Sequence, residues 1–435
     1  MNAVVIFAIL SVLRIAGKIL RVQIPLLQKL YLPSSVVGGI LGLVILTAWP
    51  GLVSADIVRD MRLMPGFLIN VIFATLFLGV ALPKLQDFAS SVLSQLTLAQ
   101  IVVWGQYVVG IGLCGFLLVP VFGVHPAFGN LLELGFEGGH GTVGGMSQAF
   151  TAKDWSDGIA LGYTVATVGM IVGIVLGMSL VNWAYRKGLV KTVRPFSKRT
   201  VSERRGIHAR DRRPSAGQQP GAADSVESLA WHIAIVGISV LIGWGLWHFV
   251  PLKGFPLFPL CMIGGVILQS AAKLVRVDLL IDRVQMERIS GAVLDFLALA
   301  AITTIEISVV VANWMPLAIM IVGGVAWTTF AVLFFGPRLF KEAWFERAIA
   351  EFGLATGVTA TGLLLLRTVD PESKTPASAS FAGKQLLHEP AMNLWVALAF
   401  ALIFTLGWLK VFLICVGMLA IWLTVSVVIM RRSRG

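Results

Sequence analysis

Apolar runs about twenty residues long recur along almost the whole of this chain, and no other feature limits its fold as strongly. Inside a bilayer every backbone N–H and C=O must find a partner within the protein, so runs of this length are membrane-crossing helices. The short alternating strands of a barrel read differently. Candidate spans cover roughly 3–22, 35–54, 64–83, 94–122, 156–184, 229–250, 256–272, 289–312, 314–336, 391–408 and 410–430. The first of these lacks a basic start and a small-residue cleavage site, so it reads as a span and not as a removable signal. Only 13% of residues are charged, about half the share in a soluble domain. The net charge of +12 is concentrated: Arg186 to Arg213 holds eleven Lys or Arg against Glu203 and Asp211. A basic loop between spans follows the positive-inside rule, so nucleic acid is not an expected partner. Cys114, Cys261 and Cys415 fall in apolar runs without metal-ligand spacing.

Two segments interrupt this pattern, 129–150 and 347–366. The first contains Glu133 to Met146, ELGFEGGHGTVGGM, with too many glycines for a stable helix. Non-helical backbone at membrane depth is tolerated where it is buried in protein or lines a cavity, so both segments are expected to be re-entrant. With the linker 186–228 in the cytoplasm, that assignment puts Arg21, Lys29, Lys84, the Lys273–Arg288 group, Arg338, Lys341, Arg367, Lys374 and the Arg431–Arg434 tail on the inside. The outside receives mainly Arg59, Arg62, Lys253 and Lys410, with Asp56 and Asp60 offsetting the first two. The N-terminus is then outside and the C-terminus inside.

The chain also resembles itself. Pro33-Ser-Ser-Val-Val-Gly38-Gly39 matches Pro259-Leu-Cys-Met-Ile-Gly264-Gly265, and Gly66-Phe-Leu-Ile-Asn70 matches Gly291-Ala-Val-Leu-Asp295. Glu133-Leu-Gly135-Phe-x-x-Gly139 matches Glu351-Phe-Gly353-Leu-x-x-Gly357 in the same order. The expected fold is therefore an all-α polytopic membrane protein with inverted repeats, 1–185 and 229–408. Each repeat has five transmembrane helices and a re-entrant or broken Gly-rich segment, and an extra span with a basic tail follows at 409–435. Inverted repeats with broken backbone near the midplane are the architecture of secondary transporters.

GGHGT at Gly138–Thr142 and PSSVVGG at Pro33–Gly39 resemble signatures of the sodium/glutamate symporter family. The resemblance covers most of the chain in span order. It implies inverted repeats, a homodimer, sodium-coupled uptake of an acidic amino acid, and an elevator-like movement of a substrate-carrying domain. Two positions depart from the family pattern. Glu137 stands where a small residue, often Ser, usually precedes the signature. The second loop, Glu351-Phe-Gly-Leu-Ala-Thr-Gly-Val-Thr-Ala-Thr361, lacks the histidine usual there.

Gly138, Gly139 and Gly141 free backbone amides to form an anion nest, and close helix packing is their alternative use. His140 suits a substrate carboxylate or a proton, or a structural bond at the loop tip. Thr142 lies in the same run. Thr356, Thr359 and Thr361, with Gly353 and Gly357, supply hydroxyls and bare backbone; the hydroxyls suit sodium by hardness, or bond back to their own helix. Glu133, Glu137, Asn70, Asp295 and Glu351 are candidates for ion coupling, because acids at membrane depth are costly unless paired or functional. Asp295 and Glu306 are expected on one face of one helix, eleven residues apart. Arg367 is a candidate carboxylate clamp or a snorkelling cation. Glu137-x-x-His140 has a di-iron spacing without the second pair and regular helices such a site needs.

The function these features support is a secondary transporter of a small carboxylate, glutamate or a relative, coupled to sodium, in a bacterial-type inner membrane. Its partners are the carboxylate, sodium or a proton, lipid, and a second copy of the chain; no cofactor beyond the coupling ion is expected. A proton-coupled carrier of another organic anion is the nearest alternative. An ion channel or an intramembrane enzyme comes after it, since no continuous polar stripe and no nucleophile–base pair is visible.

Overall fold

The computed structural model describes residues 2–30, 32–80, 90–190, 227–250, 255–371 and 374–432, with 204, 205, 215, 217 and 218. Lys84, Lys253, Arg434 and most of the 186–228 linker lie outside the described residues. Among the described residues the regular structure is helical. The first half supplies α1 (Asn2–Gln23), α2 (Ser34–Ala48), α3 (Ala55–Thr75), α4 (Ser90–Leu113), α5 (Leu131–Phe136), α6 (Gly139–Gly145) and α7 (Asp157–Arg186). The second supplies α8 (Ser228–Trp247), α9 (Phe258–Leu274), α10 (Arg283–Thr303), α11 (Trp314–Leu339), α12 (Trp344–Val369) and α13 (Ala377–Leu406), and α14 (Trp408–Arg432) follows. Eight described helices are long and apolar enough to cross a membrane. This is a multi-pass membrane protein.

The helices sort into two bundles, and each bundle draws from both halves of the chain. In the first, α1 packs on α2, α10 on α2 and α3, and α9 on α3 and α8. In the second, α4 packs on α11, α13 and α14, while α7 packs on α5 and α12. Helix α6 bridges them, touching α3 and α10 on one side and α7 on the other.

Both interrupted segments turn back on themselves. In α12 the helical dihedrals fail at Gly357 (φ −157, ψ 38) and Val358 (φ 64, ψ 170). A Cβ on Gly353 would lie 2.7 Å from Gly362 Cα. Nine residues of straight helix would separate them by about 13 Å, so the arms 344–356 and 359–369 run antiparallel in contact. Helix α12 passes the length and apolarity test for a span, but its 26 residues are a hairpin and not one rod. In the first segment the break is at Gly138–Gly139, with Gly139 at φ 67.

Contacts along α4 and α7 give the hairpins their directions. In the first hairpin, Gly129 packs on Gly110 and Glu133 bonds to Tyr107, so the chain advances along α4 against that helix's own direction. It returns along α7, from Gly169 against Phe136 to Gly162 against Val143. In the second, Glu351 bonds to Gln95 and the Ala355 carbonyl to Gln106, an advance from the other end of α4. It returns with Gly357 on Met170, Thr361 near Gly173 and Leu365 on Gly177. The tips therefore approach from opposite ends and meet: a Cβ on Gly139 would sit 2.4 Å from Val358 Cγ1.

Three expected boundaries move. The span expected at 64–83 begins at Ala55, as α3 carries Asp56, Arg59, Asp60 and Arg62 inside its first turns. The span expected at 391–408 begins at Ala377. The span expected at 289–312 stops at Thr303, and a separate short helix runs from Ile307 to Ala312. Asp295 and Glu306 consequently do not share a helix face. Asp295 pairs with Arg14 of α1 at 2.6 Å, and Glu306 pairs with Arg62 of α3. Each acid is drawn to a different basic partner, and the helix ends between them.

Candidate functional site

A cavity of about 950 Å³ lies between the two bundles, beside the hairpin tips. Helices α3 and α10 line one wall with Ile69, Phe73, Leu294 and Asp295. Across from them stand Glu133, Glu137, Gly138, His140, Gly141 and Thr142 of the first hairpin, and Val358, Thr359 and Thr361 of the second. Both tips thus put broken backbone and small polar side chains on one shared cavity.

The two tips are built alike. Thr142 Oγ1 donates back to the Gly138 carbonyl at 2.9 Å, and a Cβ on Gly138 would meet Thr142. In the second hairpin, a Cβ on Gly357 would likewise meet Thr361. His140 Nε2 lies 2.9 Å from Thr167 Oγ1 on α7. Thr167 spends its own proton on the Tyr163 carbonyl at 2.8 Å, so its oxygen accepts and His140 Nε2 carries the hydrogen. In the second hairpin Thr359 Oγ1 accepts from Gln385 of α13 at 3.0 Å. Left-handed φ falls on Gly139 in one tip and on Val358 in the other. A β-branched residue there is strained, and such strain collects at working sites.

Glu133 and Glu351, which the sequence comparison of the two segments aligned, both accept from α4 but have different partners. Glu133 Oε2 takes the Tyr107 hydroxyl at 2.6 Å. Glu351 takes Gln95 at 3.1 Å and Lys384 Nζ at 2.8 Å, an ion pair with 1% and 0% of its two side chains exposed. Glu351 therefore stands behind the cavity and not on it. Gly353 serves the close approach of the hairpin arms, and Thr356 bonds back to the Phe352 carbonyl at 2.7 Å. Asn70 bonds within its own helix to the Gly66 carbonyl at 2.8 Å, and Arg367 is exposed.

A profile of the sodium/glutamate symporter family matches residues 1–361. The chain belongs to that family. A sodium/glutamate symporter from Haemophilus influenzae is 24% identical over 269 residues, which is 60% of this chain. That match spans 62% of the relative's own length. The family is, by its description, one of symporters.

The symporter profile ends inside the second hairpin, and α13 lies beyond it. Yet α13 brings Lys384, Gln385, His388 and Glu389 to the site, with His388 Nε2 2.5 Å from Glu137 Oε1. None of these four was among the candidates read from sequence, because the span was expected to start only at residue 391. A signal was present: Lys384 and His388, and Gln385 and Glu389, are spaced i, i+4, which puts both pairs along one side of a helix.

Proposed function

We propose that this symporter-family member is a secondary carrier moving an acidic amino acid, glutamate or a near relative, into the cell with sodium. The observation that carries the reading is the meeting of two broken hairpins, Gly139 against Val358, at a cavity shared by both bundles. Freed amides at Gly138, Gly139 and Gly141 receive the substrate carboxylate, and His140, Thr142, Thr359 and Thr361 supply hydrogen bonds that orient it. Gly353, Thr356, Gly357 and Glu351 hold the second hairpin in shape. Glu133, Glu137 and Asp295 set the charge of the cavity against which substrate and coupling ion are balanced.

Both hairpins re-enter the membrane, from opposite faces, and the halves 1–185 and 229–408 are inverted repeats. Helices α4, α7, α11, α12 and α13 move with the hairpins as one body against α1, α2, α3, α8, α9 and α10, which gives an elevator-like cycle. Two copies associate. The 186–228 linker and the C-terminus lie in the cytoplasm and the N-terminus outside, in a bacterial-type inner membrane.

The test is uptake of radiolabelled glutamate, aspartate and citrate by proteoliposomes, with an inward sodium gradient and without one. Sodium-dependent accumulation of an acidic amino acid is the expected result. Accumulation that ignores sodium, or is confined to citrate, overturns the assignment.

A further inference from the structure

Helix α13 is fastened to both hairpins. Its Gln385 Nε2 donates to Thr359 Oγ1 of the second at 3.0 Å, and its His388 Nε2 lies 2.5 Å from Glu137 Oε1 of the first. Each bond leaves one oxygen over. Gln385 Oε1 and Glu137 Oε2 are buried, and neither has a hydrogen-bond partner. The Glu137 side chain is nine-tenths buried, and it lines the cavity together with Gln385. Glu389 follows Gln385 by one turn, on the same side of α13 and on the same cavity. Its carboxylate makes no hydrogen bond or ion pair among the described residues. Three acceptors are thus gathered where α13 meets the hairpins, and none of them has a donor.

The charged neighbours do not fill that gap, because each is already engaged. Lys384 pairs with Glu351 at 2.8 Å, and Arg283 of α10 pairs with Glu287 at 3.0 Å. Asp295, on the facing wall, pairs with Arg14 at 2.6 Å, and Glu133 takes the Tyr107 hydroxyl. A buried acceptor without a donor is costly, and its persistence in a folded protein calls for a reason. What this wall lacks is a compact set of donors carrying positive charge.

We propose that Glu389, with Glu137 Oε2 and Gln385 Oε1, binds the ammonium group of the substrate. The assignment rests on the function proposed above and adds the contact that tells an amino acid from a plain dicarboxylate. An ammonium group has three N–H donors, as many as the acceptors gathered here. In an α-amino acid the ammonium and a carboxylate are attached to one carbon. A carboxylate held on the amides of Gly138, Gly139 and Gly141 therefore brings the ammonium beside Glu137, the residue before them. Glu389 meets it from the cavity, and the two covered oxygens complete the set as the hairpins close on the substrate. A dicarboxylate without the amino group offers Glu389 no donor and a like charge, so it is rejected.

The test is thermal melting of the full chain in detergent with sodium present, titrated with L-glutamate and with glutarate, the same five-carbon dicarboxylate without the amino group. A ligand that binds only the folded state raises the melting temperature. Glutamate is expected to do so, and glutarate to need at least about a hundredfold higher concentration. Equal potency overturns the proposal, and so does the absence of a shift with either ligand. Glu389→Gln removes the charge and breaks no bond the fold uses, so without ligand it is expected to melt no lower than wild type. A lower melt gives Glu389 a structural role and overturns the proposal. The variant is expected to need about ten- to a hundredfold more glutamate, with glutarate as in wild type or better. Unchanged glutamate potency overturns the proposal. A loss confined to sodium's own stabilising effect gives the acid to the coupling ion and overturns it too. Uptake by proteoliposomes is read alongside: glutamate that shifts the melt selectively but is not accumulated with sodium overturns the proposed function and leaves the ammonium site standing.

Discussion

Replacing Gly139 by alanine adds one methyl group at the contact between the two hairpin tips, and its cost can be worked out. The new Cβ would lie 2.4 Å from Val358 Cγ1, where carbon atoms ordinarily rest about 3.5–4.0 Å apart. Val358 is stiff at χ1 and already strained at φ 64, so it cannot swing aside freely. Overpacking of this kind costs about 1–3 kcal/mol. Gly139 itself sits at φ 67, where an L side chain adds about 1–2 kcal/mol. Gly139→Ala should therefore lose about 2–5 kcal/mol of stability, the sum of those two terms. Val358→Ala removes the clashing methyl, so the double variant should recover the overpacking share and retain only the backbone cost of about 1–2 kcal/mol. The assay is a double-mutant cycle, with denaturant unfolding of purified protein followed by tryptophan fluorescence and initial uptake rates measured alongside. If Gly139→Ala stays within about 0.5 kcal/mol of wild type, or Val358→Ala gives no recovery, the tips are not in contact and the reasoning fails.

Lys384→Met strands Glu351 as an unpaired buried anion and should cost about 3–5 kcal/mol, whereas the double change Lys384→Met with Glu351→Gln should come close to wild type in thermal melting. Equal losses in the single and double variants would count against the pairing. Thr167→Val removes the acceptor of His140 Nε2–H and should cost about 1–3 kcal/mol while raising KM for substrate, read from melting and uptake curves. An unchanged KM would return His140 to a structural role. Gly353→Val places a side chain 2.7 Å from Gly362 Cα and should force the second hairpin apart, seen as lost monodispersity on size exclusion. His125, in the connection after α4, stacks on Trp155 at 4.3 Å, and burial lowers its pKa below the usual imidazole range. Its folded-state pKa is depressed, so its neutral form favours folding and that stability is lost as pH falls below the ordinary value. Melting curves between pH 8 and pH 5 should fall less steeply for His125→Gln than for wild type.

Local rules made several features readable before any contact was known. Twenty-residue apolar runs can do little in water or in lipid except become packed helices, so the class of protein follows from hydropathy alone. Glycine's poor helix propensity marked the break at Gly138–Gly141, and the repeat offset carried that mark to Gly353–Gly357, where the glycines are fewer. The GGHGT run pointed to the family. What hydropathy could not register is that a charged residue may be buried when its partner arrives from elsewhere. Lys384, His388 and Glu389 lower the apolar score of α13, so the helix was expected to begin after them. Lys384 is nonetheless fully buried, because Glu351, 33 residues earlier, faces it. The same limit applies to Glu137, whose neighbour His388 is 251 residues away. It applies again to Asp295 and Glu306, which helical spacing placed together and separate arginines drew apart. Periodicity and propensity act between near neighbours and can be read along the chain, whereas the energy of a buried charge depends on what packs against it.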